Sequence, residues 1–153
     1  MKKIASFTVN HDKLQKGMYV SRVDGDVITY DIRMKLPNGG EYLSGAAAHT
    51  LEHLLATYAR NSAFSSDVIY VGPMGCMTGF YLLLREHVSY ENALTLMKDA
   101  FAFARDFQGE IPGNTRVECG NYLFHDLAGA KVLAADMFDV LKTWSVDKFQ
   151  YEA

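Results

Sequence analysis

Residues 27–36 read Val-Ile-Thr-Tyr-Asp-Ile-Arg-Met-Lys-Leu, a stretch in which apolar and polar side chains largely alternate. A period of two predicts a half-buried strand, because successive side chains of a strand point to opposite faces of the sheet. The turn-forming sequence Pro37-Asn38-Gly39-Gly40 predicts the end of this strand. The side chains predicted to share its buried face are Ile28, Tyr30, Ile32, Met34 and Leu36.

Further strand and helix patterns follow along the chain. Ser44 is a typical N-cap and predicts a helix of about twenty residues. Two short strands are predicted at residues 68–71 and 77–84, with a turn rich in glycine between them. Ser89 then predicts the N-cap of a second helix, whose apolar residues recur with helical spacing.

The last third of the sequence contains two more predicted elements. Residues 117–124 favour a short extended segment, and a final helix is predicted to begin at His125 or Asp126. The predicted order is therefore strand, helix, two strands, helix and terminal helix. This order indicates an α+β fold, a mostly antiparallel sheet with helices packed on one face.

Length and composition limit the class of protein. The 153 residues contain no repeat or linker, so residues 1–153 are predicted to form a single domain. Because the net charge is -3 and no run of basic residues occurs, no nucleic-acid partner is expected. No membrane association or export signal is predicted either, because polar residues 10–13 interrupt the first apolar stretch. We therefore expect a cytoplasmic protein.

The predicted first helix contains the motif His-x-x-Glu-His. His49 and His53 are four residues apart, so both imidazoles project from one helix face and can hold one metal ion. Glu52 lies between them and can act on a substrate without binding the metal, as in the inverzincin order of this motif. The alternative is a solvated or capped histidine pair, but polar groups on so apolar a helix would be costly to bury without partners.

A catalytic metal site needs a third ligand and leaves one position for water or substrate. The candidates are Cys119, His125, His87 and His11. The thiolate of Cys119, which precedes a glycine, would complete a set acceptable to zinc or ferrous iron. A small buried residue at a strand end is the alternative reading of Cys119.

The second cysteine, Cys76, lies between glycines in Gly75-Cys76-Met77-Thr78-Gly79. A thiol in such a turn is expected to be accessible, and a nearby cation would allow it to serve as an acid or base. Simple packing of the thiol remains the alternative. A disulfide with Cys119 is not expected in a cytoplasmic protein.

Together these motifs resemble the S-ribosylhomocysteine lyase family, the LuxS proteins. The His-Thr-x-Glu-His and Pro-Met-Gly-Cys-x-Thr-Gly sequences at this separation carry most of the resemblance. The matching segments cover nearly the whole chain: Ser6-Phe7 with His11, Asp31-Ile32-Arg33 with Pro37-Asn38, His49 to Ala56 with Arg60, Gly72 to Tyr81, Glu118 to Tyr122, His125-Asp126-Leu127 and Gly129-Ala130-Lys131.

The resemblance implies a homodimeric α+β enzyme that binds one divalent metal per chain, Fe²⁺ in the native form and often Zn²⁺ after purification. It implies cleavage of the thioether of S-ribosylhomocysteine to homocysteine and 4,5-dihydroxy-2,3-pentanedione, the autoinducer-2 precursor. The roles it implies are metal binding for His49, His53 and Cys119, acid/base catalysis for Glu52 and Cys76, and substrate binding for Ser6, His11, Arg33 and Arg60, some of them contributed by the partner subunit.

One segment departs from the family pattern. Family members commonly carry Asp-Ile-Ser before the Pro-Met-Gly-Cys sequence, whereas this chain has Tyr70-Val71-Gly72. In some members the aspartate helps to bind the homocysteine end of the substrate. Two other functions stay open from the residues alone, an inverzincin-type metallohydrolase and a metal-binding module without catalysis.

Overall fold

The computed structural model describes residues 1–152 and contains one sheet of four antiparallel strands. The strands are β1 (Gly17–Asp24), β2 (Val27–Arg33), β3 (Val68–Pro73) and β4 (Gly79–Arg85). Their order across the sheet is β1-β2-β4-β3, so the strand that opened the sequence analysis lies in the interior of the sheet. The predicted α+β class is confirmed.

The first strand, β1, is absent from the sequence prediction. Its pairing with β2 shifts register between Val20 and Arg22, and this irregularity breaks the alternation that a period-two search detects. A usable signal was present in the turn, because Asp24-Gly25 followed by Asp26 favours a two-residue hairpin connection. Gly25 adopts φ +59, a left-handed conformation that glycine reaches without steric cost.

Three helices form the other layer: α1 (Gly45–Arg60), α2 (Tyr90–Asp106) and α3 (Leu127–Leu141). Each begins at a side chain that accepts a hydrogen bond from the first turn, as predicted for Ser44 and Ser89, and the cap of α3 is Asp126, one of the two residues predicted to begin this helix. The first helix is shorter than predicted, since it ends at Arg60. None of the helices in the described residues is long and apolar enough to cross a membrane.

The two faces of β2 have different chemistry. Ile28, Tyr30 and Ile32 are buried in the same apolar cluster as residues of all three helices. Asp31 and Arg33 lie on the opposite face and are nevertheless only 1% and 4% exposed. The helices therefore cover the apolar face, and a buried pair of opposite charges lies on the other.

Two local predictions were wrong. The strand predicted to run to Leu36 ends at Arg33, and Leu36 is 43% exposed. Residues 117–124 contain turns and no strand, because the amide of Cys119 donates back to Thr115 and that of Phe124 to Asn121. Bonds to carbonyls three or four residues back coil the chain, so it cannot pair with the sheet.

Gly79 allows a test of the close contact between strands β2 and β4. It faces Arg33 in the β2–β4 pair, and a Cβ added there would collide with the carbonyl oxygen of Ile32. We expect Gly79→Ala to lower the free energy of unfolding by about 1–3 kcal/mol, the usual cost of overpacking. Gly75→Ala is the control, since a Cβ there meets no atom within 4 Å. Urea unfolding that shows equal stability for both variants would contradict this account of the β2–β4 contact.

Candidate metal centre and catalytic cavities

Helix α1 places two histidines side by side. His49 and His53 are one turn apart, and their ring centroids are separated by 4.7 Å. Ser44 caps the start of α1 by accepting a hydrogen bond from the amide of Ala47 at 3.2 Å. The helix is anchored on its apolar side by Leu51, Leu54 and Leu55, all of which are at most 1% exposed. The histidine pair is thus fixed by a helix that cannot rotate without exposing its core residues.

The turn-rich segment before α3 brings two further donors to this pair. Cys119 Sγ lies 3.5 Å from His49 Nε2 and 3.9 Å from His125 Nε2. One ligand atom from each of these residues and from His53 can be chosen so that all four lie within 4.8 Å of one another. The structure therefore places the predicted donors together and adds His125, which the sequence offered only as an alternative to Cys119.

Each histidine of this cluster has its other ring nitrogen occupied. His49 Nδ1 donates to the carbonyl of Phe124 at 2.6 Å, and His53 Nδ1 donates to that of Pro112 at 2.7 Å. An Nδ1 that carries the proton leaves Nε2 with a lone pair, which is the tautomer that a metal ligand requires. His125 Nδ1 lies 2.9 Å from the hydroxyl of Thr50.

These donors fit a divalent transition metal. Imidazole nitrogen and thiolate sulfur bind zinc at about 2.0–2.3 Å, so ligand atoms of one tetrahedral site lie roughly 3.3–3.8 Å apart. The Cys119–His49 distance falls in that range, and the Cys119–His125 distance lies just above it. Burial, together with His49 and His53, lowers the pKa of His125, which favours the neutral ring that a metal needs.

The remaining two candidate ligands lie elsewhere. His87 has a side chain that is 70% exposed and pairs with Asp67 at 2.9 Å. His11 lines a separate cavity and contacts the carbonyl of Val9 through Nδ1. Neither belongs to the four-donor cluster.

Cys76 is exposed, as predicted, and lies at a cavity of about 220 Å³ on the charged side of the sheet. Three of the predicted substrate-binding residues, Ser6, His11 and Arg33, line the same cavity. The β3–β4 turn brings the cysteine there, and residues from the N-terminal segment supply the opposite wall.

The Cys76 thiol contacts a polar network. Its Sγ lies 3.0 Å from the hydroxyl of Thr78, which accepts a hydrogen bond from Arg33 Nη1 at 2.8 Å. Arg33 Nη1 is itself 3.9 Å from Sγ. Burial disfavours the charged guanidinium, but the two-point contact with Asp31 outweighs it and raises the pKa of Arg33. A permanent cation therefore lies beside the thiol.

Glu52 lines a different cavity, together with His53, Tyr70, Val71 and Pro112 among others. No residue lines both this cavity and the one that contains Cys76. Arg60 lines neither cavity, since its guanidinium donates to the carbonyls of Val68 and Ile69 at the start of β3. The predicted catalytic residues therefore form two groups in one chain.

Fold and site define a small α+β metalloprotein with a histidine–cysteine donor set. Comparison with known proteins gives the family. The family model described as S-Ribosylhomocysteinase (LuxS) matches residues 4–148. A relative from Phocaeicola vulgatus named S-ribosylhomocysteine lyase is 47% identical over 99% of this chain and 98% of its own length. Relatives of the same name from Desulfotalea psychrophila and Clostridium acetobutylicum are 50% and 44% identical, over 90% and 99% of both chains.

The chain belongs to the LuxS family, because the match covers almost its whole length at high identity. The resemblance drawn from its motifs is thereby confirmed. The metallohydrolase alternative required a glutamate as third ligand, whereas Cys119 and His125 complete the cluster here.

Metal content tests the donor set. We expect His49→Ala, His53→Ala and Cys119→Ala each to bind the metal much more weakly and to lose most of it on dialysis, because each change removes one donor atom from the cluster. His87→Ala should keep a full complement, since it removes an exposed histidine away from the cluster. The measurement is metal per chain by atomic emission after dialysis. Undiminished metal in Cys119→Ala would remove this residue from the site.

Proposed function

We propose that this protein is a metal-dependent carbon–sulfur lyase that cleaves the thioether of S-ribosylhomocysteine to homocysteine and 4,5-dihydroxy-2,3-pentanedione. The observation that carries the proposal is the convergence of His49, His53 and Cys119 in a chain of the LuxS family. The relatives that match over nearly the full chain are named S-ribosylhomocysteine lyase.

The proposed reaction needs proton transfers at several carbons of the sugar. The carbonyl must move along the ribose until the sulfur is β to it, and homocysteine thiolate can then be eliminated. A divalent metal held by the cluster would supply Lewis-acid activation of the sugar oxygens. The family resemblance implies Fe²⁺ as the native ion and Zn²⁺ as a common substitute, and mixed imidazole and thiolate donors accept both.

Glu52 and Cys76 are the proposed acid/base residues. Glu52 follows His49 on α1 and lines the same cavity as His53, and it is not one of the clustered donors. Cys76 has Arg33 beside its thiol, and a neighbouring cation favours the thiolate that accepts a proton. Two such groups on different sides of the sugar allow protons to be removed and returned at adjacent carbons.

The other predicted site residues are proposed to bind and orient substrate. Ser6 and His11 line the cavity of Cys76 and offer side chains that can bond sugar hydroxyls. Arg33 shares this cavity, although most of its donors are directed at Asp31, Thr78 and Cys76. Arg60 is retained in the proposal on the family resemblance alone, because its guanidinium binds backbone carbonyls.

A homodimer would unite the two groups of residues. Within one chain no cavity is lined by both Glu52 and Cys76, and the family resemblance implies that the partner subunit contributes some of the site residues. Large apolar side chains near both groups are exposed, among them Phe7 at 69%, Leu123 at 80% and Phe124 at 45%. A partner subunit would cover such side chains, which soluble monomers seldom expose together.

Substitution of the acid/base residues tests the chemistry. Glu52→Gln and Cys76→Ala should keep normal metal content and lose about 10²–10⁴-fold in the rate of homocysteine release, the usual contribution of a general acid or base. Glu86→Gln, an exposed glutamate after β4, is the matched control and should be fully active. Homocysteine thiol is measured with a chromogenic disulfide under anaerobic conditions. Loss of metal in Glu52→Gln would make this residue a ligand, and near-normal rates in both variants would refute the acid/base assignment.

Subunit mixing tests the shared site. Each proposed site combines the metal-binding residues of one subunit with the Cys76 cavity of the other. Glu52→Gln changes the first part and His11→Ala the second, so a heterodimer contains one site in which both parts are intact. A statistical mixture should regain about a quarter of wild-type activity. Glu52→Gln mixed with His53→Ala is the control, because both changes damage the metal side and no intact site can form. Equal, negligible activity in both mixtures after verified exchange would count against a site built from two subunits.

A further inference from the structure

A tyrosine beyond the last helical turn joins the network that surrounds Cys76. The hydroxyl of Tyr151 donates to Asp31 Oδ2 at 2.7 Å, and the same oxygen accepts from Arg33 Nη2 at 2.6 Å. Tyr151 also lines the cavity that contains Cys76. The end of the described chain is thereby connected to the middle of the sheet.

The contacts form a continuous chain from this tyrosine to the thiol. Asp31 holds Arg33 at two points, through Oδ1 to Nε at 3.1 Å and through Oδ2 to Nη2. Arg33 Nη1, on the other side of the planar guanidinium, reaches Thr78 and Cys76. Because the guanidinium is rigid, the position of Asp31 sets the position of Nη1 relative to the sulfur.

We infer that Tyr151 is a positioning residue that acts on Cys76 through Asp31 and Arg33. Its hydrogen bond fixes the carboxylate and withdraws part of its negative charge, so more of the positive charge of Arg33 acts on the thiol. Both effects have the same sign, since both place more positive charge beside the sulfur, and a neighbouring cation favours the reactive form of a thiol. The inference rests on the proposed role of Cys76 as an acid/base residue.

The tyrosine is held in a state that suits this role. Burial, followed by the Asp31 carboxylate, raises the pKa of Tyr151, so the phenol keeps the proton that it donates. Its ring stacks on Tyr19, with 5.2 Å between centroids and 24° between planes. Tyr19 is buried and donates its own hydroxyl proton to the carbonyl of Gln15.

This stack supplies a matched pair of variants. Tyr151→Phe removes the hydroxyl that binds Asp31 and keeps the ring, whereas Tyr19→Phe removes from the same stack a hydroxyl that is bonded to Gln15. Both are compared with wild type as metal-loaded proteins, after thermal melts confirm that each is folded at the assay temperature. The probe is iodoacetamide, and labelling of the Cys76 peptide is followed by mass spectrometry.

We expect Tyr151→Phe to slow alkylation of Cys76 at about pH 7 by roughly three- to tenfold, because the sulfur loses part of the positive charge of Arg33 that favours its reaction. At about pH 9.5 an ordinary thiol is largely ionised, so its rate should approach that of wild type. Two further titratable groups line the cavity, His11 from the N-terminal segment and Tyr81 from β4. Both are the same in every variant, so they do not affect the ratio of a variant's alkylation rate to that of wild type. Tyr19→Phe should match wild type at both pH values.

The inference is overturned if Tyr151→Phe alkylates like wild type at about pH 7, or if Tyr19→Phe slows alkylation equally. The inference is also overturned if Tyr151→Phe is slower than wild type by the same factor at about pH 9.5 as at about pH 7, since that result means altered access to the sulfur. Steady-state lyase kinetics separate this inference from the proposed function. A lower kcat with little change in KM in Tyr151→Phe supports both, whereas slowed alkylation with normal kcat upholds the positioning role and refutes the catalytic role of Cys76.

Discussion

The buried ion pair between Asp31 and Arg33 is the constraint on which the charged side of this protein depends. Two charges on one face of β2, removed from water, are tolerable only when their polar atoms are bonded, because the cost of desolvation otherwise exceeds their attraction. Tyr151 and Thr78 supply additional bonds to the pair. This one pair of charges therefore connects the sheet to Thr78 in the β3–β4 turn and to Tyr151 near the end of the described chain.

The metal-binding cluster depends on a different constraint. Helix α1 sets the distance between its two histidines, and loops set the orientation of their rings. The interval from His49 to His53 follows from helix geometry, but each ring is fixed by a carbonyl from a distant segment, Phe124 for one and Pro112 for the other. Gly113 permits the second contact, since it adopts φ +70 and a Cβ there would lie 3.3 Å from His53 Nδ1. Loops far apart in sequence thus orient two ligands of one helix.

The features predicted correctly from the sequence are those that depend on local patterns of residues. Periodicity and capping residues are local, so the central strand, the caps at Ser44 and Ser89, and the histidine spacing could be read directly. The register shift in β1 depends on its pairing with β2, and the turns around Cys119 are closed by backbone bonds that leave no periodic side-chain pattern, so both were missed. His125 was noticed as a candidate, but only the bond of Thr50 to its ring and to the amide of Asp126 shows why it joins the cluster.

Tyr70-Val71-Gly72 is the segment in which this chain departs from the family pattern Asp-Ile-Ser. Its tyrosine and its glycine depend on each other. A Cβ at Gly72 would collide with the phenol of Tyr70, so the tyrosine can adopt its position only when residue 72 is glycine. Tyr70 lines the cavity of Glu52 and His53 and also a neighbouring cavity with Ser6 and Tyr81. The glycine therefore permits the position of the tyrosine, and through it determines part of the lining of both cavities.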